Sequence, residues 1–193
     1  MREMVNMVIV LTVITAVSGS VLSVLKAGTE DRIENQILKF QKAPAINAIF
    51  SNATNDPLKE RFSIESGDSE ITFFPAKLKD GSKAVAFETK GAGYGGDIGL
   101  MVGVDVDTDQ IVKVRVTTHA ETPGIGSRAK DNTDFVSQFN GMNVAESAFK
   151  VKKDDGKINA MSGATITSRG VCTAARKAKE LYMDLKPKIK SQI

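Results

Sequence analysis

The chain has a single cysteine, Cys172, among 193 residues. That excludes an intrachain disulfide and any metal site built on paired thiolates. With Val171 and Ala175 as neighbours, Cys172 reads as a small buried hydrophobe. Histidine is equally scarce: His119 is the only one. It could join Glu121 and a distant serine in a hydrolase triad, but there is no G-x-S-x-G elbow, and Ser162 does not stand in one. His119 is therefore expected to be a structural loop residue. The formal charge of +3 comes with no nucleic-acid recognition motif, so nucleic acid is not an expected partner. Internal repeats and low-complexity linkers are missing too. At 41% hydrophobic residues, the composition fits one globular domain.

A further absence is local. Met4 to Leu25, MVNMVIVLTVITAVSGSVLSVL, carries no charge across 22 residues. A helix of that length, at about 1.5 Å per residue, spans the ~30 Å hydrocarbon core of a bilayer. A cleaved signal peptide would have a shorter apolar region and a small-x-small site, and Leu25 stands where Ala27 would need a small partner. The expectation is a retained anchor over residues 1–27, followed by one domain over residues 28–193. Lys26, Arg32, Lys39 and Lys42 follow the segment and only Arg2 precedes it. The positive-inside rule then points weakly to a cytoplasmic domain, although Glu30, Asp31 and Glu34 are interspersed and the rule is weakest for long domains.

Beyond the anchor, Ile33, Ile37 and Phe40 recur at helical spacing, and the pattern predicts a helix ended by Pro44 with one further turn over Ile46 to Phe50. Asn52 to Asp68 is polar, contains Pro57 and reads as loop with short structure. Then the period changes. EITFFPAKLKDGSKAVAFETKG gives two strands around Lys79 to Ser82, with Asp-Gly as the hairpin signal. DIGLMVGVDVDTDQIVKVRVTTHA gives two more around Asp107 to Gln110, Val112, Val114 and Val116 alternating with Lys113, Arg115 and Thr117. A short helix capped near Thr133 carries Phe135 and Phe139 and stops at Gly141. Phe149–Val151 and Lys157–Ile158 flank a turn at Asp154 to Gly156. A final helix is expected from about Arg169 to Leu185, stopping before Pro187, with Val171, Ala175, Ala178, Tyr182 and Leu185 on one face. The fold class is α+β: an N-terminal transmembrane helix, then a mostly antiparallel sheet with flanking helices.

Two motifs mimic known sites. Gly91 to Gly96, GAGYGG, matches G-x-G-x-x-G, but a strand follows where a dinucleotide fold needs a helix. Its bare backbone is nevertheless suited to a flat ligand. Asp105, Asp107 and Asp109 resemble the start of a calcium loop, yet Gln110 and Val116 occupy the positions that need glycine and glutamate. No metal site is expected.

The remaining cluster is Ser162-Gly163-Ala164-Thr165-Ile166-Thr167-Ser168, directly before the last helix. Two uses are open. Gly163 makes a turn while Thr167 or Ser168 caps the helix. Alternatively, the free amides of the helix N-terminus hold an anion such as phosphate, Gly163 allows close approach, and Arg169 adds a charge-assisted bond. Nothing nearby would activate a threonine hydroxyl, so a phosphate bonded to Thr165 would have to be installed by another enzyme.

SGATITS, together with ETPGIG at Glu121 to Gly126, resembles the FMN-binding domain family, which includes the RnfG subunit of the Rnf complex and the NqrC subunit of sodium-pumping NADH:quinone oxidoreductase. The likeness runs through anchor, GAGYGG, ETPG and SGAT in order, and the modest length is nearer RnfG. It implies that Thr165 carries FMN through a phosphoester, installed from FAD by the flavin transferase ApbE, with Ser162, Gly163, Ala164, Thr167 and Ser168 around the attachment point. It implies that His119 to Gly126 lines the isoalloxazine, Glu121 and Thr122 offering polar contacts; the alternative is that ETPG is only a tight Pro-Gly turn. It further implies an electron-transfer subunit in a membrane complex that couples ferredoxin:NAD⁺ oxidoreduction to ion translocation. No independent catalytic activity is implied. The other subunits and membrane lipid are the expected partners, and the domain would lie outside the cytoplasm of a bacterial or archaeal cell, against the charge count. Three alternatives are an NqrC-like subunit, a stand-alone anchored flavoprotein serving an extracytoplasmic reductase, and a non-redox binding module. One departure stands out: the family often has aspartate three positions before the serine, where this chain has Asn159.

Overall fold

The computed structural model describes residues 2–67 and 69–193. The chain divides into two compact units, Met1–Phe40 and Gln41–Ile193.

The first unit is helix α1 (Arg2–Ile37) and the start of the turn after it. Arg2–Glu30 is long and apolar enough to cross a membrane, and its apolar stretch has no protein packed against it. A helix that is hydrophobic all round and unburied is suited to lipid. Four of its hydroxyls need no water: Thr12, Thr15, Ser20 and Thr29 donate to the carbonyls of Val8, Leu11, Ala16 and Leu25, four residues back, at 2.8–3.0 Å. After α1 come a π turn (Leu38–Lys42) and helix α2 (Ala43–Ile49). The expected stop at Pro44 is corrected: Pro44 sits in the first turn of α2, where a missing N–H costs nothing. The break is the π turn before it.

The second unit is a five-stranded antiparallel meander, β1 (Phe62–Ser66), β2 (Ser69–Lys77), β3 (Lys83–Ala92), β4 (Asp97–Asp105) and β5 (Ile111–Val116), in sequential order. β1 falls inside the stretch read as loop with short structure; its Phe-Ser-Ile-Glu alternation is too short to stand out from polar neighbours. Asp68, the end of that stretch, lies outside the described residues. Gly81 at φ +87° and Asp109 at φ +58° turn the β2–β3 and β4–β5 hairpins. Helix α3 (Arg128–Asp131) and helix α4 (Thr133–Ser137) follow. Asn132 rather than Thr133 caps α4, its side-chain oxygen accepting the amides of Asp134 and Phe135. Helix α5 (Thr165–Lys190) closes the chain.

Both faces of β3 and β4 are covered, which is why AVAF and GLMVGV read as near-continuous apolar runs. On one face Phe73, Val85, Phe87, Leu100, Val102 and Val104 form a core with Val171, Ala174, Ala175, Ala178, Tyr182 and Leu185 of α5. The other face buries Phe74, Ala84, Ala86 and Met101, and at Gly103 a side chain would strike Ile49 of α2. The backbone of α5 meets the backbone of β3 at Gly91. A Cβ on Gly91 would collide with the carbonyl of Gly170 and lie 2.7 Å from the amide nitrogen of Ala174. Thr89 Oγ1 donates to Ala174 O at 2.9 Å beside it. This contact sets the N-terminus of α5 against the Gly93–Gly96 end of the β3–β4 hairpin.

The helix is longer than its sequence pattern suggested at both ends. It continues through Pro187 to Lys190, because Pro187 removes only one amide near the end and Ile189 is fully buried beyond it. Cys172 is buried on α5, and burial pushes its thiol up to about 12, as for an inert packing residue.

Candidate functional site

Helix α5 begins four residues earlier than its charged face implied, at Thr165, with Ala164 as N-cap. Thr167 and Ser168, the expected caps, lie inside the first turn and are buried. Each hydroxyl has another partner. Ser168 Oγ donates to Ala164 O at 2.9 Å and accepts the Met161 amide at 3.0 Å, folding the SGAT loop back onto the helix. Thr167 Oγ1 donates to Glu121 Oε2. The first intrahelical bond runs from the Ser168 amide to Ala164 O at 3.0 Å, so the amides of Thr165, Ile166 and Thr167 form the open first turn. Gly163, at φ +75°, turns the chain into it.

Glu121 is the polar centre of the site. It is buried, and it accepts the Gly95 amide at 2.8 Å as well as the Thr167 hydroxyl. The glycines around it make its room. A Cβ on Gly93 would meet Glu121 Oε1; one on Gly126 would lie 2.6 Å from Glu121 Oε2 and 2.8 Å from Thr167 Oγ1. The GAGYGG run is thus the lid of a carboxylate, and β4 follows it at Asp97, as a strand rather than a dinucleotide-fold helix. His119 is half-buried, and its Nδ1 accepts the Glu121 amide at 3.3 Å. Thr122 O accepts the amides of Ile125, Gly126 and Ser127, which curls the ETPG segment into a compact turn.

These elements enclose a cavity of about 650 Å³ lined by Tyr94, Glu121, Thr122, Ile125, Lys153, Thr165 and their neighbours. Cofactor sites commonly measure ~300–1,000 Å³. Its rim is apolar and solvent-facing: Tyr94 is 72% exposed, Ile125 48% and Ile166 49%. Exposed apolar groups around a cleft with a few fixed polar groups suit a flat, partly polar ligand. Open amides and a hydroxyl at a helix N-terminus suit a phosphate. The residues present therefore fit FMN. A similar volume, about 600 Å³, lies beside α1 between Met4 and Ile14; it is one side of a lone apolar helix and has no polar arrangement to orient a cofactor.

Of the residues singled out from sequence, Gly163, Ala164, Thr165, Thr167, Glu121 and Thr122 meet in the cavity. Ser162 and Ser168 do not line it. Ser168 supports the loop from beneath, and Ser162 is exposed, its carbonyl taking a bond from Arg128. Arg169 is a correction. It is not aimed at the anion site but forms two bonds with Asp154, at 2.6 and 2.8 Å. Those bonds hold the Asp154 carboxyl below its usual range and raise the Arg169 guanidinium. Asn159 is paired with Gln138, which accepts both its backbone and side-chain amides at 2.7 and 3.0 Å.

Tyr94, Ile166 and Lys153 line the cavity beyond the residues expected from sequence, whereas Ile125 falls in the segment expected to line the ring; Arg128 was not expected either. Arg128 donates to Ile125 O at 3.1 Å and to Ser162 O, joining the ETPG turn to the SGAT loop. Tyr94 stands among glycines in GAGYGG and Ile166 among hydroxyls in TITS, where no core pattern requires either.

Comparison with known proteins agrees with this geometry. Residues 93–180 match the family described as FMN-binding domain. The RnfG subunit of the ion-translocating oxidoreductase complex from Vibrio cholerae serotype O1 is 33% identical over 183 residues, covering 89% of this chain and 87% of that one. The corresponding protein from Stutzerimonas stutzeri is 34% identical over 131 residues, 65% of this chain and 57% of that protein. The crystal structure of NqrC from Shewanella oneidensis superposes with a TM-score of 0.53 at 23% identity, over 73% of each chain, a likeness of fold. The chain belongs to the RnfG family of ion-translocating oxidoreductase complex subunits, and residues 93–180 are its FMN-binding domain.

Proposed function

We propose that this chain is the FMN-carrying electron-transfer subunit of an ion-translocating oxidoreductase, and that its flavin is tethered by a phosphoester to Thr165. The observation that carries the tether is the position of Thr165: first residue of α5, half-buried, lining the cavity beside Gly163. No carboxylate or imidazole bonds its hydroxyl among the described residues. We read the hydroxyl as the acceptor for a flavin transferase: the Thr165 Oγ–P bond would form as the pyrophosphate P–O bond of FAD breaks, AMP leaving and the hydroxyl losing its proton.

FMN supplies the redox chemistry when bound. The protein's own part is positional. The first-turn amides of α5 and the helix dipole favour the phosphate. Tyr94, Ile125 and Ile166 offer apolar surface to the ring, and Thr122 a polar edge. Glu121, already accepting two bonds, holds the Gly95 loop and the Thr167 turn in register, so the cleft keeps its shape.

In this reading residues 1–27 form the single-pass anchor, the domain over residues 28–193 faces away from the cytoplasm, and the remaining subunits of the complex are its redox partners. A tether is useful there, since lost FMN would not be readily replaced outside the cell. The test is the mass of the peptide containing Thr165, from protein purified out of its native membrane. A gain of one FMN less one water, localised to Thr165, is the expected result. An unmodified peptide from cells that contain the transferase would sink the tether.

A further inference from the structure

Among the described residues, Arg128, Lys153 and Arg169 lie beside the loop that carries Thr165. Arg128 is committed to the carbonyls of Ile125 and Ser162. Arg169 is held by Asp154. Lys153 takes part in no ion pair among the described residues, yet it lines the cavity, while its neighbour Lys152 does not. The one anion of the lining, Glu121, already accepts Thr167 and Gly95.

The place of Lys153 is fixed by backbone rather than by chance. It sits in a 3₁₀ turn, Lys152–Asp154, closed by Asp155 at φ +59°. Val151 before the turn is buried and bridges to Ile158. The next residue, Asp154, grips Arg169, and Arg169 lies four residues after Thr165, one helical turn along the same face. The turn is therefore pinned beside the stripe of α5 that begins with Thr165, and its lysine faces the cavity there.

Resting on the Thr165 tether, we propose that Lys153 is the positioning cation of that tether: its ammonium pairs with the phosphate joined to Thr165 and so fixes where the flavin chain enters the cleft. A phosphodiester retains one negative charge, and a lysine ammonium is a compact point charge suited to it. The helix amides address the phosphate from one side, and Lys153 addresses it from the loop side.

The test uses the full chain, coexpressed with a flavin transferase and purified in detergent, with Lys153→Gln, Lys153→Arg and Lys152→Gln beside the parent. Lys153 is exposed, so these variants fold. In Lys153→Gln, the visible circular dichroism and fluorescence anisotropy of the attached flavin are expected to fall by about twofold, the scale on which an exposed ion pair biases a local equilibrium. The midpoint potential stays at the parent value, Lys153→Arg restores the signals, and Lys152→Gln behaves as parent. Parent-like signals in Lys153→Gln overturn the proposal. So does a shifted potential with unchanged flavin order, which would place the ammonium at the ring. A parent peptide unmodified at Thr165 removes the tether and this role with it; a modified parent with a parent-like Lys153→Gln removes the lysine alone.

Discussion

At the C-terminal end of α5, Asp109 accepts the Tyr182 hydroxyl at 2.8 Å and the Lys186 ammonium at 2.6 Å. At the N-terminal end, Glu121 accepts the Thr167 hydroxyl and the Gly95 amide. Both carboxylates tie α5 to a hairpin end of the sheet. Their surroundings differ. Asp109 has a cation, and burial, which alone would raise its carboxyl, is outweighed by the bonds from Lys186 and Tyr182, so it is held below the usual range. Tyr182, desolvated and bonded to Asp109, is pushed up. That end is a closed latch. Glu121 has no ion-pair partner among the described residues, its neighbours are stripped to glycine, and Tyr94, Ile125 and Ile166 stand exposed around it. The same bond type locks one end of the helix and holds a cleft open at the other. The surrounding side chains decide which.

Four substitutions test that contrast, from the largest effect to the smallest. Thr165→Ala is expected to abolish covalent flavin completely while the domain unfolds at the parent temperature; flavin retained through denaturation would break the assignment of the open end. Gly91→Val drives a side chain into the backbone of α5, and overpacking of this kind costs about 3 kcal/mol or more. Thermal unfolding in detergent would show it, with protection from hydrogen exchange lost at both ends of α5, because the contact at Gly170 and Ala174 seats the whole helix. Glu121→Gln leaves one acceptor for two donors and is expected to cost about 1–3 kcal/mol. Exchange should rise at Gly95 and at Ser168, the first bonded amide of α5, but not at Asp109, and equal changes at both ends would deny that the two are separate.

Asp109→Asn keeps the Tyr182 bond and loses the ion pair, at about 1 kcal/mol or less. Its sharper signature is in pH. Because the folded carboxyl is depressed, its contribution is present above the ordinary aspartate range of about 4 and is lost as pH falls through the folded value. The parent should therefore lose stability on acidification more steeply than Asp109→Asn, and parallel acid curves would remove the latch.

Much was legible in advance because it is local. Alternation, one Asp-Gly turn and one Asp-rich turn gave four of the five strands, since a half-buried strand must alternate and a tight hairpin needs residues that tolerate positive φ. The apolar face of α5 was legible for the same reason. The errors lie where a distant group replaced a local one. Thr167 and Ser168 read as caps because a hydroxyl before a charged helix usually caps it. In the fold, Glu121, 46 residues away, takes one, and the SGAT loop takes the other. Arg169 read as an anion ligand until Asp154 claimed it. β1 was missed because a five-residue edge strand carries too few side chains to show a period.

Spacing along the chain was enough to show the apolar first helix, the antiparallel sheet and the amphipathic last helix, though not that the last helix starts at Thr165. These depend on spacing along the chain, and spacing is written in the sequence. Only the tertiary structure decided that GAGYGG and ETPG would share a buried carboxylate, that Tyr94, Ile125 and Ile166 would surround one cavity, and that Lys153 alone of three neighbouring cations would be left to face it. Those outcomes depend on where α5 comes down on β3, a contact between Gly91 and Gly170 that exists only once both elements have formed.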